Sequence, residues 1–327
     1  MHTSLAECYN DNKQAETVSN EKSMDTGFSR DVLRGLTAKE KSLSPKYFYD
    51  DEGSALFDRI CRLDEYYPYQ AELKLLPVVA LELKKILTED YTVVEFGAGS
   101  LLKIKPLLEN VKGIRQFIPI DISGNHLREA CAQLSTEFPA IEIQPVEADF
   151  CQFVDLGQTM GKPLGFFPGS TIGNFSPSEA TQFLANAKKT VGSGGYMLVG
   201  VDTKKSPVTL HRAYNDNAGV TAQFNLNMLT RINRELGANF NLEAFEHYAY
   251  YDTDAGCIKM HLVSLADQRY QLLGKEIVFS KGESVHTESS YKYRPEDFSA
   301  MADRAGWQVE KLWLAENEMF STFLLRA

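Results

Sequence analysis

The feature of this sequence that most limits its fold is an alternation of short apolar segments with helix-like segments between residues 91 and 202. The apolar segments are strand-like: "TVVEF", "QFIPIDI", "IEIQPVEADF", "LGFFPGST" and "GYMLVGVD". Between them lie helix-like segments such as "LLKIKPLLENV", "GNHLREACAQLSTEF" and "SPSEATQFLANAKKTV". Because strands that alternate with helices are typical of βαβ units, this pattern predicts an α/β fold built on a parallel sheet.

The sequence on either side of the alternation predicts further elements. Residues 1–28 have almost no apolar side chains to bury, which predicts a polar leader outside the fold. Residues 208–237 are mostly helical in pattern, and "IKMHLVSL" and "KEIVFS" are expected to be antiparallel strands. "PEDFSAMADRAGW" predicts a helix that begins at Pro295, and "QVEKLWLA" and "STFLLRA" predict a closing pair of strands.

The charge and the cysteine pattern disfavour several classes of partner. The chain has 34 Lys and Arg against 44 Asp and Glu, a net charge of −10, which disfavours a nucleic-acid partner but not a small ligand. Its 5 cysteines are scattered and form no CxxC pair, and no histidine stands at metal-ligand spacing from an acid, so no metal site is expected. No apolar run approaches the roughly 18 residues of a membrane span. We expect a cytoplasmic monomer.

A glycine turn follows the first predicted strand, in "VVEFGAGS". Gly97 and Gly99 allow a tight turn and leave room for a ligand that carries adenosine. Such a turn alone is weak evidence of a site, but Leu102 stands where a dinucleotide fingerprint has its third glycine. Glu95 precedes the turn, where a carboxylate opposes a pyrophosphate and suits a cation. The turn therefore favours S-adenosylmethionine, a sulfonium, over NAD.

Acidic residues end the next two predicted strands. Asp121 lies about 20 residues beyond the glycine turn, where a carboxylate can bind ribose hydroxyls. Asp149 ends the third strand and is predicted to bind the adenine amino group, with Phe150 lining the ring's pocket. Both positions agree with a cofactor that contains adenosine.

The stretch "FFPGSTIGNFSP", residues 166–177, ends the fourth predicted strand. Ligands of open α/β sheets bind at the carboxyl ends of the strands. We therefore predict that Gly169 to Asn174 face the transferred methyl group and its acceptor. The plain structural alternative is a strand-to-helix turn in which Asn174 caps the following helix.

Several longer stretches resemble the histidine-specific Nα-methyltransferases of ergothioneine biosynthesis. They include "PKYFYDDEGSALFD", "LDEYYP", "VEFGAGS", "PIDIS", "GSTIGN", "RAYNDNAGVTAQFNLNMLTRINRELGANFNLEAFEH" and "ESSYKYRPED". The resemblance implies a Rossmann-like, class I S-adenosylmethionine-dependent methyltransferase domain at 71–203 and 292–327, and a smaller α+β substrate-binding domain at 29–70 and 204–291. It implies three successive methyl transfers to the α-amine of L-histidine, which give the betaine hercynine.

The resemblance also implies which residues form the site. The catalytic pair at the α-amine is Tyr49 and Asn174. The other substrate contacts are Tyr66 and Tyr214 at the carboxylate, Glu288 and Ser290 at the imidazole, and Phe57, Gly169 and Met260 as pocket walls. The cofactor contacts are Gly97, Lys103, Asp121, Asp149 and Phe150.

The chain departs from the family pattern at two places, and other functions stay open. Ala98 and the "LLKIK" that follows are less polar than the family turn, and Tyr69 stands where a threonine is usual. One alternative is an N-methyltransferase for another amino acid, such as tryptophan or a histidine derivative. A second is a non-catalytic protein that binds S-adenosylmethionine, although a silent binder has no need to keep an acceptor pocket. A third is a dehydrogenase.

Overall fold

The computed structural model of the chain describes residues 27–99, 101–122 and 124–327. The predicted polar leader, residues 1–28, therefore lies almost wholly outside the described residues. The chain divides into two compact units. The smaller unit contains the described residues up to Ile60, Asn217–Tyr250 and Lys259–Glu288, and the larger unit contains Cys61–Asp216, Tyr251–Ile258 and Ser289–Ala327.

The larger unit is built on an eight-stranded sheet in the order β12-β13-β6-β5-β1-β2-β3, with β4 also paired to β2. The strands are β1 Tyr91–Phe96, β2 Ile114–Asp121, β3 Glu142–Ile143, β4 Val146–Glu147, β5 Lys162–Phe167, β6 Tyr196–Asp202, β12 Gln308–Leu314 and β13 Phe320–Arg326. The pairs from β6 through β5 and β1 to β2 and its neighbours are parallel. The predicted α/β fold with a parallel sheet is confirmed.

Two details of the sheet bear on the sequence predictions. The last two strands pair antiparallel with each other and with β6, so the predicted closing pair is confirmed. The prediction of one strand over "IEIQPVEADF" is wrong, because the structure has the two-residue strands β3 and β4 there. Pro145 stands between them and has no N–H to donate, which explains the interruption.

The order of the strands creates a switch point between β1 and β5. From β1 the chain continues through β2 to β3 on one side, and then returns to place β5 on the other side of β1. Ligands of open α/β sheets bind where the strand order reverses in this way, outside the carboxyl ends of the strands. Gly97 directly follows β1 and Gly169 lies two residues after β5, so both glycine turns lie at the switch point.

Helices cover both faces of this sheet. They are α3 Tyr67–Ile86, α4 Lys105–Asn110, α5 Gly124–Glu137, α6 Pro177–Val191 and α9 Pro295–Arg304; a further helix, α7 Pro207–Tyr214, follows β6 in the chain. The side chains of β1 alternate between the two faces: Val93 belongs to the apolar cluster that includes α3 to α5, and Val94 to the cluster that includes α6 and α9. All six residues of β1 are buried, as expected for a central strand of a parallel sheet.

The described residues of the smaller unit form three α-helices, α1 Gly27–Thr37, α2 Asp51–Ile60 and α8 Val220–Leu236, and most of two small sheets. One sheet has the order β11-β8-β7, and the other pairs β10 with β9. Their strands are β7 Phe245–Asp252, β8 Cys257–Ser264, β9 Gln268–Leu272, β10 Lys275–Phe279 and β11 Ser284–Tyr291.

The sequence prediction for this region was incomplete. "KEIVFS" forms β10, but its antiparallel partner is β9, a strand that the sequence pattern did not indicate. Leu273 and Gly274 join the two strands and both have positive φ, which is the backbone of a tight two-residue hairpin. "IKMHLVSL" falls in β8, which belongs to the other sheet.

The described residues contain neither a membrane-spanning helix nor a metal-binding cluster. None of their helices is both long enough and apolar enough to cross a membrane. Within the same ranges, no group of three or more His, Cys, Asp or Glu side chains is placed to hold a metal ion.

Candidate active site

The glycine turn after β1 is closely packed. Gly97 has φ +72°, and the N–H groups of Gly97 and Ala98 donate to the carbonyl oxygen of Ile120 at 2.9 and 3.2 Å. A Cβ atom at Gly97 would lie 3.1 Å from the ring of Phe150. A left-handed residue with a ring against it requires glycine, so the turn keeps the backbone open to a ligand.

The ends of β1, β2 and β4 lie side by side because β2 pairs with both of the other strands. Asp121 ends β2, and its carboxylate accepts the N–H of Gly99 at 3.3 Å. Asp149 follows β4 and accepts the N–H of Cys151 at 2.9 Å. The structure thus brings four of the predicted cofactor residues to neighbouring strand ends: Gly97, Asp121, Asp149 and Phe150.

The fifth predicted cofactor residue, Lys103, is held by a carboxylate that sequence analysis missed. Glu72 lies in α3, is only 1% exposed, and forms an ion pair with Lys103 at 2.7 Å. Both oxygens of Glu72 also lie within hydrogen-bond distance of the N–H of Gly169, at 2.9 and 2.8 Å. The Lys103 ammonium group stands 5.2 Å from the centre of the Tyr69 ring. One buried carboxylate therefore connects the predicted cofactor lysine to the turn after β5.

The environment of Glu95 indicates whether the glycine turn after β1 suits a cationic cofactor. Burial raises the pKa of Glu95 well above its usual value; Lys103 opposes that rise, whereas Glu72 and Asp121 add to it. Its Oε2 atom is buried and has no hydrogen-bond partner among the described residues. Burial thus favours the neutral acid, and a nearby positive charge would favour the ionised form. A ligand that carries positive charge therefore suits this buried carboxyl group and its unsatisfied oxygen, whereas a pyrophosphate would oppose its ionisation.

The turn after β5 combines left-handed backbone with close packing. Gly169 and Ser170 have φ +82° and +57°, and residues Thr171–Asn174 form one 3₁₀ turn. The Ser170 hydroxyl accepts the N–H of Asp202 at 2.9 Å.

The proposed structural alternative, in which Asn174 caps α6, is wrong, because Ser176 is the cap and forms a capping box with Glu179.

Asp202, the last residue of β6, is the centre of a buried polar cluster. Its side chain is fully buried, and it forms ion pairs with Lys292 at 2.8 Å and Lys205 at 2.5 Å. The hydroxyl of Tyr67 donates to the same carboxylate at 2.7 Å. The ammonium group of Lys292 also donates to the hydroxyls of Tyr214 and Ser290; we call these six residues the Asp202 cluster: Asp202, Lys205, Lys292, Tyr67, Tyr214 and Ser290.

The cluster is charged throughout the neutral pH range. Burial acts to raise the pKa of Asp202, but Lys292 and Lys205 outweigh it and the pKa lies below its usual value. Burial acts to lower the pKa of Lys292, but Asp202 outweighs it and the pKa is raised. Burial, with Asp202 adding to it, raises the pKa of Tyr67. One carboxylate and two ammonium groups therefore carry charge beside neutral hydroxyls.

The other predicted substrate residues divide between the two units. In the larger unit, the rings of Tyr66 and Tyr214 meet edge to face with centroids 6.1 Å apart. In the smaller unit, the rings of Tyr49 and Phe57 meet edge to face at 5.6 Å, and each also packs on Phe224. Met260 in β8 and Glu288 in β11 are buried, at 2% and 7% exposed. Glu288 and Ser290 stand two residues apart on β11, and so lie on one face of that strand.

Sequence analysis missed three residues of the site: Glu72, Asp202 and Lys292. Glu72 lies in α3, in a stretch to which the sequence analysis assigned no site residue, and Asp202 marked only the end of the alternation. Lys292 lies in "ESSYKYRPED", which was matched as a whole without a role for its lysine. One signal in the sequence could have found them: each is a charged residue at a position where the apolar pattern of its neighbours predicts burial, and buried charges are usually paired.

The larger unit has a parallel sheet with antiparallel closing strands, and a glycine turn next to an acid lies at the switch point. These features define the class of methyltransferases that use S-adenosylmethionine. Comparison with known proteins narrows this class. The chain belongs to the family of histidine-specific, S-adenosylmethionine-dependent methyltransferases, whose sequence profile matches residues 28–327.

Individual relatives agree with this family. The chain is 42% identical over 289 residues to histidine N-alpha-methyltransferase of Mycolicibacterium smegmatis, covering 87% of this chain and 90% of that protein. It is 28% identical over 288 residues to ergothioneine biosynthesis protein 1 of Neurospora crassa, covering 85% of this chain and 32% of that protein. The solved structure of mitomycin 7-O-methyltransferase shares the fold, with a TM-score of 0.50, 12% identity, and coverage of 94% of this chain and 71% of that one.

Proposed function

We propose that this enzyme transfers methyl groups from S-adenosylmethionine to the α-amine of L-histidine three times, giving hercynine for ergothioneine biosynthesis. Membership of the histidine-specific family supports the substrate, and the name of the Mycolicibacterium relative supports the α-amine as the acceptor. The structural observation that carries the proposal is the Asp202 cluster, in which a buried lysine holds the hydroxyls of Tyr214 and Ser290. Such fixed hydroxyls suit a polar acceptor molecule.

The residues at the switch point are proposed to hold the cofactor. Gly97 leaves space beside the backbone, Asp121 binds the ribose hydroxyls, and Asp149 and Phe150 bind the adenine. Lys103 is proposed to bind the carboxylate of the methionine part. When bound, S-adenosylmethionine supplies an electrophilic methyl group on a positively charged sulfur.

The protein must present the histidine amine as a neutral nucleophile. An ammonium group has no lone pair, so one proton leaves before each of the three transfers, and the third transfer completes a quaternary ammonium. Tyr49 and Asn174 are proposed to orient the amine through their oxygen atoms, and alignment with the methyl carbon supplies part of the catalysis. A tyrosine with a pKa near 10 is a poor base at neutral pH, so we propose that the proton passes to water. A pH–rate profile governed by an enzyme group with a histidine-like pKa would contradict this step.

The remaining substrate contacts are proposed from the resemblance. Tyr66 and Tyr214 are proposed at the carboxylate, and Glu288 and Ser290 at the imidazole ring. The hydroxyl of Tyr214 has one hydrogen, which it donates to Ser290, so Tyr66 is proposed to donate to the carboxylate and Tyr214 to line that side of the pocket with its ring. Phe57, Gly169 and Met260 form walls of the pocket. Aromatic faces such as Phe57 and Tyr49 also suit the trimethylated product, because a quaternary ammonium donates no hydrogen bond and a ring face attracts it by about 0.5–2 kcal/mol.

We propose that the enzyme acts as a monomer in the cytoplasm and binds no nucleic acid, which its net charge of −10 supports. Sedimentation analysis of the purified chain tests the oligomeric state, and a filter-binding assay with single- and double-stranded oligonucleotides tests the second point.

A panel of amino acids tests the proposed substrate. The enzyme is incubated with S-adenosylmethionine and, separately, L-histidine, its mono- and dimethylated forms, a ring-methylated histidine and L-tryptophan, and the products are measured by mass spectrometry. We expect methylation of histidine and of both intermediates. Faster methylation of tryptophan would favour the alternative amino acid, and binding of the cofactor without methylation of any member would favour the non-catalytic alternative.

A further inference from the structure

Lys292 uses all of its hydrogen-bonding capacity inside the protein. An ammonium group has three hydrogens and accepts none. Lys292 is 2% exposed, and its three partners are the carboxylate of Asp202 at 2.8 Å, the hydroxyl of Tyr214 at 3.0 Å and the hydroxyl of Ser290 at 2.8 Å. None of its hydrogens remains for a ligand, so its effect on a ligand passes through the two hydroxyls.

The same count fixes what Ser290 can offer. A serine hydroxyl accepts two hydrogen bonds and donates one. Ser290 accepts from Lys292 at 2.8 Å and from the hydroxyl of Tyr214 at 2.8 Å, which uses both lone pairs. Only its own hydrogen is left, so a group that binds Ser290 must be a hydrogen-bond acceptor.

We infer that Lys292 is a positioning residue which makes Ser290 a hydrogen-bond donor, so that the site takes the substrate imidazole in its neutral form with a ring lone pair facing Ser290. This inference rests on the proposed function. If Glu288 accepts the N–H of the other ring nitrogen, the two residues of β11 together select a single tautomer. A protonated imidazole has two N–H groups and no lone pair, so it would place a hydrogen against a donor.

The charges near Ser290 also disfavour a protonated imidazole. The ammonium group of Lys292 is 2.8 Å from the oxygen that would contact the ring, and Lys205 adds a second cation beside the shared carboxylate. Within the Asp202 cluster the two ammonium groups exceed the one carboxylate by one positive charge. A proton on the ring nitrogen that faces Ser290 would meet this excess in a buried region, where charge repulsion is weakly screened. The acid Glu288 is proposed to face the other ring nitrogen and so does not accept this proton.

The charged groups around Ser290 keep their charge across the pH range that titrates a free imidazole. Asp202 and Lys292 have pKa values moved away from neutrality, and Tyr67 stays protonated because its pKa is raised. Lys205 has a lowered pKa because of burial, and Asp202 partly restores it. On β11 itself His286 also has a lowered pKa, caused by burial and Lys259. The remaining acid on this strand face, Glu288, requires a control of its own.

Equilibrium binding of L-histidine, measured by calorimetry in the presence of S-adenosylhomocysteine, tests the inference. The affinity should fall about thirtyfold between about pH 7.5 and about pH 5, because the free ring with a pKa near 6.5 becomes protonated. Ring-fluorinated L-histidine, whose ring stays neutral over this range, should show less than a threefold change. An affinity for L-histidine that is constant or rises toward low pH would overturn the inference. An equal fall for both ligands would also overturn it, because a group of the enzyme and not the ring of the ligand would then be the one that titrates.

Substitution of Lys292 tests whether this residue orients Ser290 or only stabilises the fold, because only the first role affects the pH dependence of binding. In Lys292→Met, Ser290 regains a lone pair and can accept as well as donate, so the thirtyfold fall for L-histidine should shrink to below about threefold. Lys204→Met is the control, because Lys204 pairs with Asp297 at 3.6 Å at a half-exposed position and should keep the wild-type pH dependence. If Lys292→Met does not fold, the comparison of the two ligands on the wild-type enzyme still tests the inference.

Failure of this inference can be told from failure of the proposed function. If L-histidine is not methylated at all, the proposed function fails; if it is methylated and its binding is independent of pH, this inference alone fails.

Discussion

The carboxylate of Glu72 and the ammonium group of Lys103 lie 2.7 Å apart, and both oxygens of Glu72 lie within 2.9 Å of the N–H of Gly169. Glu72 thus joins the lysine proposed to hold the cofactor to the turn proposed to face the acceptor. Because Glu72 is only 1% exposed, the loss of either partner would leave a buried charge unsatisfied.

We predict that Glu72→Gln weakens binding of S-adenosylmethionine about tenfold to a hundredfold, as expected for the loss of a charge-assisted contact of about 1.5–3 kcal/mol. Glutamine can still accept the N–H of Gly169, so the turn itself should persist. Calorimetric titration measures the affinity. Glu82→Gln, on the same helix, is the control: Glu82 pairs with Lys311 and Trp313 and should leave cofactor affinity unchanged. Equal affinities in Glu72→Gln and the wild type would contradict the role given to this carboxylate.

We predict that Gly169→Ala lowers both stability and cofactor affinity. Gly169 has φ +82°, which costs a non-glycine residue about 1–2 kcal/mol, and the new Cβ would lie 3.0 Å from the ammonium group of Lys103. Gly192→Ala is a matched control, because Gly192 has φ +78° but no atom within 4 Å of its Cβ position. Thermal unfolding and calorimetric titration should show that both variants lose stability and that only Gly169→Ala loses affinity. A loss of affinity in both would indicate a general effect of the substitution.

The buried carboxyl of Glu95 predicts a pH-dependent stability. Its folded-state pKa is raised by burial, so the stability it contributes is full below its unfolded pKa and is lost as pH rises through the folded value. Glu95→Gln should therefore stabilise the ligand-free enzyme at alkaline pH and weaken binding of S-adenosylmethionine more than binding of S-adenosylhomocysteine, which lacks the sulfonium charge. Melting temperatures from pH 5 to 9 and the two dissociation constants measure these effects. Equal weakening of both ligands would show that Glu95 does not respond to the cofactor's charge.

The Asp202 cluster predicts a large loss of stability in Asp202→Asn. Removal of one partner from a buried ion pair costs about 3–5 kcal/mol, and here it leaves Lys292 and Lys205 without their carboxylate. Because the folded pKa of Asp202 is lowered, its contribution is present above the unfolded pKa and is lost as pH falls through the folded value. The difference in unfolding free energy between wild type and variant should therefore shrink in acid. Asp297→Asn, which breaks the exposed pair with Lys204, should cost at most about 1 kcal/mol in urea titrations; a similar loss in both variants would contradict this account.

We predict that Glu288→Ala weakens L-histidine binding by one to two orders of magnitude, since an unpaired polar group in a pocket costs about 1–3 kcal/mol. Cofactor affinity should not change. Glu276→Ala serves as the control, because Glu276 forms an exposed pair with Arg269 on a two-stranded sheet. Isothermal titration with L-histidine measures both variants. Unchanged histidine affinity in Glu288→Ala would remove this residue from the imidazole site.

Much of the larger unit followed from the sequence because local rules decide it. The apolar run of β1 and the glycines that follow it specify a buried strand and an open turn, and both are found. The helix from Pro295 begins where a proline at the first helical position predicts it. The hairpin of β9 and β10 was missed because its turn is Leu273-Gly274, and leucine with positive φ is an uncommon turn residue.

The buried charged residues of the site were harder to predict, because their burial depends on partners that are distant in the sequence. Glu72 meets Lys103 and Gly169, and Asp202 meets Lys292, through packing of α3 and of β6 that no local pattern specifies. A lone glutamate in a helix or a lone lysine after a strand is usually solvated, so sequence analysis gave neither a role. The structure shows that Glu72, Asp202 and Lys292 are buried and paired.

The most direct test of the account is the position of the transferred methyl groups. L-Histidine is incubated with the enzyme and S-adenosylmethionine that carries an isotopically labelled methyl group, and the product is analysed by NMR. We predict a trimethylammonium signal coupled to the α-carbon proton, with mono- and dimethylated species as precursors. Labelled methyl on a ring nitrogen, or on an amino acid other than histidine when both are offered together, would contradict the account.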